Sequence, residues 1–138
     1  MILVDTSVLV DYLKGNNTHK SELFDKITAN DLDFCISALT YQELLQGAKN
    51  EKEFEKLKSY FSTQIILAIP PDNFFFEQTA LMYFTLRRQG KTIRSTVDTI
   101  IAAQAINGNH ILLHDDKDFD TIAGVFPELS SLNDLATV

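Results

Sequence analysis

Short, continuous runs of apolar residues constrain the fold of this chain more than any other feature. Four of them are predicted strands, at residues 1–5, 34–36, 64–69 and 111–113. Runs without alternating polar residues are typical of strands that are buried on both faces, as in a parallel sheet covered by helices. Segments with helical periodicity separate the runs. The pattern therefore predicts an α/β fold, a central parallel β-sheet flanked by helices.

The helical segments have recognisable ends. Gly15, Gly47 and Gly90 follow three of them, and Asp72 is a good N-cap for the longest. The Phe74-Phe75-Phe76 triplet cannot be wholly buried on one helix, so one of its rings is expected to meet a neighbouring helix or a partner. We predict helices at residues 7–14, 18–29, 40–47, 50–61, 72–89, 96–106 and 119–123.

The size and composition fit one domain, residues 1–138, because the chain is 45% apolar and can bury a sizeable core. Its one cysteine, Cys35, lies inside an apolar run and is expected to pack in the core of a protein from a reducing compartment. The N-terminus has no basic leader, and no apolar stretch approaches the roughly 20 residues that span a bilayer. We therefore expect a soluble, cytoplasmic protein without a membrane partner.

Four carboxylates stand where an apolar run ends or a helix begins: Asp5, Glu43, Asp98 and Asp116. Open α/β sheets place their sites at the carboxyl ends of the strands, where neighbouring strands lie about 4.8 Å apart. Side chains from several strand ends can share a cation there. Oxygen ligands suit Mg²⁺ or Mn²⁺, whereas the single cysteine and unpaired histidines disfavour zinc. The leading hypothesis is a metal-dependent phosphodiester hydrolase.

Each acid also has a structural explanation. Glu43 follows Thr40, and Asp98 follows Ser95, at the spacing of a capping box. Asp5 could cap the first helix, and the acids at 115–120 could form a solvated loop. The joint pattern favours a metal, because closely packed carboxylates repel one another and raise their pKa values unless a cation neutralises them.

The net charge of −7 argues against a nucleic-acid partner unless the acids are concentrated at one site. Residues 78–97 contain no acid but carry Arg87, Arg88, Lys91 and Arg94, and they lead directly into Asp98. This stretch is either a track for substrate phosphates or an ordinary solvated helix end.

Four segments together resemble a known family. They are ILVDTSVLVDYLKG at 2–15, SALTYQELLQG at 37–47, TIRSTVDTIIAA at 92–103 and LLHDDKDF at 112–119. In this order they are similar to the PIN-domain nucleases, specifically the VapC-like toxins of bacterial toxin-antitoxin pairs. The resemblance runs along nearly the whole chain.

The resemblance implies an RNA-cleaving, Mg²⁺- or Mn²⁺-dependent toxin that a cognate antitoxin holds inactive. Asp5, Glu43, Asp98 and Asp116 fall on the family's four acidic positions, and Asp118 on a further acid that serves a second ion in some members. Thr6 or Ser7 would orient Asp5 and a water. Arg94, with Arg87 or Lys91, would hold RNA phosphates. His114 stands where many members have Thr or Ser, and Asp115 leaves the choice of ligand between itself and Asp116 open.

Other classes remain open. A receiver-type signalling domain needs an acid after a central strand, and the run at 64–69 ends in Pro70-Pro71 instead. A housekeeping PIN-type RNA-processing nuclease, or a non-catalytic module that binds RNA or a partner, would keep the fold. The aromatic content, 10% of the chain, suggests exposed apolar surface for a homodimer or for an antitoxin helix.

Overall fold

A computed structural model describes residues 1–137 and contains seven α-helices around one five-stranded sheet. The elements in chain order are β1 Ile2–Val4, α1 Thr6–Lys14, α2 His19–Ala29, β2 Phe34–Ser37, α3 Ala38–Gln46, α4 Glu51–Phe61, β3 Ile65–Leu67, α5 Asn73–Arg88, α6 Thr96–Asn107, β4 Ile111–Leu113, α7 Lys117–Val125 and β5 Ser130–Ser131, followed by a 3₁₀ turn at Leu135–Thr137.

The sheet is parallel throughout, and its strand order is β3-β2-β1-β4-β5. β1 is the central strand, with Ile2 paired to Phe34 of β2 on one side and to Ile111 of β4 on the other. Because all strands point the same way, the residues that follow β1, β2 and β4 lie at one edge of the sheet. This edge receives the acids that the sequence singles out.

Helices cover both faces of the sheet, which explains why the central strands are apolar at every position except Ser37, the last residue of β2 and the N-cap of α3. Leu3, Cys35 and Leu112 belong to a core that they share with α5, α6 and α7. Ile36 and Leu113 belong to a second core, shared with α1, α2, α3 and α4. The prediction of a central parallel sheet flanked by helices is confirmed.

Several predicted elements differ from the structure by one to three residues at their ends, and three differences have a clear cause. α3 begins at Ala38 rather than Thr40, because the Ser37 side chain accepts a hydrogen bond from the Leu39 backbone N–H and caps the helix earlier. α7 is longer than expected, since it begins directly after Asp116. β5 was not predicted, because two serines carry no apolar pattern.

The phenylalanine triplet at the start of α5 is split between core and surface. Phe75 is buried and lies on the same stripe as Thr79, Met82 and Leu86. Phe74 and Phe76 are exposed, as are Leu81 and Phe84 further along the helix. Within residues 1–137, no helix is both long and apolar enough to cross a membrane.

Candidate metal centre

A cleft of about 350 Å³ opens at the carboxyl edge of the sheet. Its walls come from the start of α1, from α3, from the turn before α6, and from the start of α7. The residues that line it are Asp5, Thr6, Ser7, Glu43, Arg94, Ser95, Val97, Asp98 and Asp116. Four of the five acids predicted to be metal ligands therefore reach one cleft from four different helices or their caps, whereas the fifth, Asp118, does not line it.

Asp5 directly follows the central strand and is the N-cap of α1. Its Oδ2 accepts hydrogen bonds from the Ser7 backbone N–H at 3.0 Å and from the Ser7 hydroxyl at 2.6 Å. The Ser7 oxygen in turn accepts a bond from the backbone N–H of Asp115, at 2.9 Å, which ties β1 to the loop after β4. Burial raises the pKa of Asp5, and the bonds from Ser7 partly oppose this effect.

Glu43 lies in the second turn of α3, not in the first. The Thr6 hydroxyl donates to Glu43 Oε1 at 2.9 Å and lies 3.2 Å from the Thr40 hydroxyl. Because Ser37 is the N-cap, Thr40 sits inside the helix, and the capping box considered for Thr40 and Glu43 does not form. Of the two hydroxyls next to Asp5, Ser7 orients Asp5 and Thr6 orients Glu43.

Asp98 is the third residue of α6. The cap is made by Ser95, whose hydroxyl oxygen accepts from the Val97 backbone N–H at 3.1 Å. The Asp98 carboxyl is hydrogen-bonded to Asp118 instead of returning a bond to the cap. Burial, followed by the charges of Asp116 and Asp5, raises the pKa of Asp98 from 3.8 to about 7. In the ion-free protein, this carboxyl therefore keeps its proton to a much higher pH than a free aspartate does.

Asp116 is the N-cap of α7, where its Oδ1 accepts from the Asp118 backbone N–H at 2.9 Å. Arg94 bridges these two acids, with Nη2 2.7 Å from Asp116 Oδ1 and Nε 3.0 Å from Asp118 Oδ2. Asp115 is exposed and lies outside the cleft lining, which favours Asp116 as the ligand of the pair. The pairing of Arg94 with both acids was not predicted, since no local pattern joins positions 22 and 24 residues apart.

The donor set fits a hard divalent cation. Carboxylate oxygens of Asp98, Asp116 and Asp118 lie within 4.8 Å of one another, and Asp5 and Glu43 line the same cleft. The raised pKa values of Asp5 and Asp98 show that this arrangement resists ionisation without a cation. Oxygen donors so arranged match the ligand preference of Mg²⁺ and Mn²⁺.

Three predicted or questioned residues lie elsewhere. Arg87 and Lys91 are exposed and outside the cleft lining, and the Arg87 guanidinium lies 6.0 Å from the Phe84 ring centre. His114 is buried, its Nε2 is hydrogen-bonded to the Ser131 hydroxyl at 3.1 Å, and its ring packs on Phe119. Burial lowers its pKa, and the ring joins β4 to β5 through Ser131 while its Nδ1 accepts a hydrogen bond from the Asp116 backbone N–H at 3.3 Å.

Known proteins share this architecture. Residues 2–125 match the family model of the PIN domain. Ribonuclease VapC11 of Mycobacterium tuberculosis is 30% identical over 126 residues, which cover 91% of this chain and 93% of that protein. Among solved structures, VapBC2 from Rickettsia felis, bound to a promoter DNA fragment, matches with a TM-score of 0.72 and 20% identity over 96% of this chain and 98% of that one. A toxin-antitoxin complex from Klebsiella pneumoniae matches with a TM-score of 0.69 and 20% identity, over 95% and 97%.

The two structural matches establish the fold alone, whereas the family model and the VapC11 relative cover nearly the whole chain. The cleft with its acids at the carboxyl ends of β1 and β4 lies inside the matched region. This chain belongs to the PIN-domain family and is a homologue of the VapC ribonucleases.

Proposed function

We propose that this protein is a Mg²⁺- or Mn²⁺-dependent endoribonuclease, and that it acts in the cytoplasm as the toxin of a toxin-antitoxin pair. One observation carries the proposal: Asp5, Glu43, Asp98 and Asp116, separated by as many as 111 positions in the chain, line a single cleft. Acids that served only as helix caps or as solvated loop residues would have no reason to meet in one cleft. The ribonuclease name of the mycobacterial relative supports RNA as the substrate.

In this proposal Asp5, Glu43, Asp98 and Asp116 hold the ion. A bound divalent cation would polarise the scissile phosphate and lower the pKa of a water molecule, so that water can attack in line. The chain's own hydroxyls set the geometry of two of these acids. Ser7 fixes Asp5 through two hydrogen bonds to Oδ2, and Thr6 fixes one oxygen of Glu43. In this proposal the other oxygen of each carboxylate binds the ion.

The proposal includes two protein partners. The solved relatives are described as VapBC and toxin-antitoxin complexes, which supports a small antitoxin as the inhibitor of this chain. The exposed apolar side chains of α5, Phe74, Phe76, Leu81 and Phe84, support a homodimer, because a monomer leaves this surface in water. A neighbouring gene for a small protein would distinguish the toxin from a housekeeping nuclease of the same family.

The test is cleavage of total RNA by the purified protein with Mn²⁺ and with chelator. We expect cleavage only with Mn²⁺, and a loss of roughly 100-fold or more in Asp5→Asn, since a charged ligand becomes a neutral and weaker one. Asparagine is itself a good N-cap, so this variant keeps the start of α1 and isolates the chemistry. Adding the small protein encoded beside the gene should abolish cleavage by the wild type.

Glu43→Gln serves as a second variant, because Glu43 caps no helix. Cleavage that continues in chelator, or that survives in both folded variants, would overturn the assignment of these acids to a catalytic ion. A folded wild type that does not cleave RNA with Mn²⁺ would leave the non-catalytic binding module. Cleavage that the neighbouring protein does not inhibit would support the housekeeping nuclease instead.

A further inference from the structure

The Arg94 guanidinium occupies the part of the acidic cluster where a bridging cation would sit. Nη2 donates to Asp116 Oδ1 at 2.7 Å, and Nε donates to Asp118 Oδ2 at 3.0 Å. These two acids, together with Asp98, are the three whose oxygens lie within 4.8 Å of one another. One positive group thus already spans two of the three carboxylates.

Asp118 accepts more hydrogen bonds from Arg94 than Asp116 does. Its Oδ2 accepts a second bond, at 3.0 Å, from the Arg94 backbone N–H, and its carboxylate also interacts with Asp98. Its side chain is only 12% exposed and does not belong to the cleft lining, whereas Asp5, Asp98 and Asp116 do. Asp118 therefore faces the arginine and not the open space in which an ion and a phosphate would meet.

We propose that Arg94 takes the place of a second metal ion, so that the cleft binds one divalent cation on Asp5, Glu43, Asp98 and Asp116, while Asp118 anchors the arginine. Two-metal nucleases hold their ions about 3.5–4 Å apart. An ion at the second position would share Asp116 and Asp118 with a guanidinium already 2.7 Å and 3.0 Å from their oxygens, and the two cations would repel each other.

This inference rests on the proposed metal site and deepens it, because it assigns the number of ions and the role of Asp118. The Arg94 side chain is 76% exposed, so replacing it leaves no buried cavity. The backbone bond from residue 94 to Asp118 can still form in a glutamine or lysine variant, since it is donated by the main-chain N–H and not by the side chain. A variant at this position therefore changes the positive charge at the cluster while the loop keeps its anchor.

The test is the stoichiometry of Mn²⁺ binding, measured by isothermal titration calorimetry at pH 8 with no RNA present. We expect one ion per chain in the wild type and two in Arg94→Gln. Arg94→Lys keeps the charge and should still bind one. Arg88→Gln is the matched control, because Arg88 is an exposed arginine that packs on Phe84 outside the cleft, and it should equal the wild type.

Electron paramagnetic resonance gives a second reading of the same samples. A spin-coupled pair of manganese ions should appear in saturated Arg94→Gln and be absent from the wild type. Two ions in the wild type, or one ion in a folded Arg94→Gln, would overturn the assignment of Arg94 and leave the metal-dependent nuclease in place. A wild type that binds no Mn²⁺ would overturn both. The wild-type stoichiometry alone tests the proposal, whatever the stability of the variants.

Discussion

Replacing Asp98 by asparagine should stabilise the ion-free protein about twice as much at pH 8 as at pH 5.5, because pH 5.5 lies midway between the pKa values of this carboxyl in the unfolded and folded states. The pKa of Asp98 is raised from 3.8 to about 7 in the folded protein, so the folded state keeps a proton that the unfolded chain has lost between these values. Stability therefore falls as pH rises from about 4 to about 7. Asparagine resembles the protonated carboxyl in shape and can still donate to Asp118, so the variant avoids this loss.

The size of the effect follows from the shift. A rise from 3.8 to about 7 corresponds to roughly 4 kcal/mol of unfavourable ionisation. Asp98 is only partly buried, and water screens its neighbours, so we expect about half of this, ~2 kcal/mol, at pH 8. For a chain of this length, that raises the melting temperature by about 6 °C.

Thermal unfolding followed by circular dichroism, in chelator at pH 5.5 and pH 8, measures the difference between the two proteins. The lower pH stays above the isoelectric point of about 4.8, where the protein would tend to aggregate. With Mn²⁺ at 100 times its dissociation constant, the wild type should gain about 2.7 kcal/mol and Asp98→Asn much less.

A pH-independent loss of stability of about 0.5–1 kcal/mol in Asp98→Asn would refute this reasoning, because it is the result expected for an acid that only supports the start of α6. A Mn²⁺-induced shift of the same size in both proteins would remove Asp98 from the set of ligands.

Two further outcomes test other contacts. Thr6→Val removes the hydroxyl that orients Glu43 and should weaken Mn²⁺ binding about 10-fold in calorimetry. Thr6→Ser keeps the hydroxyl and should bind as the wild type does. Equal affinity in all three proteins would mean that this bond does not position Glu43. Leu81 is 62% exposed on α5, and Leu81→Glu should convert a dimer into a monomer, as measured by light scattering. The control variant Leu13→Glu, on α1, should remain a dimer. A Leu81→Glu variant that still dimerises would exclude this face of α5 as the interface.

The strands could be predicted from the sequence because their environment is uniform. A residue such as Leu3 or Leu112 has a helix above or below it whichever way its side chain points, so β1 and β4 are apolar at every position. β5 could not be predicted in this way, because it is an edge strand of two serines and has no apolar run. Its position is set by pairing with β4 and by the buried side chain of Leu132.

The sequence was enough to group the acids of the cleft, but it did not reveal which residues cap the helices that carry them. The spacing suggested Thr40 and Ser95 as caps, with Glu43 and Asp98 as their returning acids; Ser95 is a cap, but α3 is capped by Ser37 instead of Thr40. A helix start depends on which hydroxyl or carboxylate reaches the first free N–H groups, and several candidates within three residues compete for them. The Arg94 contacts depend on how the turn before α6 meets α7, which is a property of the folded chain alone.

Two of the acids, Asp5 and Asp116, begin helices as well as line the cleft. A gene copy freed from any need to cut RNA would therefore not lose its four acids in equal measure. Loss of a cap costs about 1 kcal/mol out of a total of roughly 5–15, so a still-folded descendant would keep Asp5 and Asp116 or exchange them for other capping residues. Glu43 and Asp98 cap nothing and would drift first. The order in which the acids disappear would thus record whether a relative lost its chemistry before its fold.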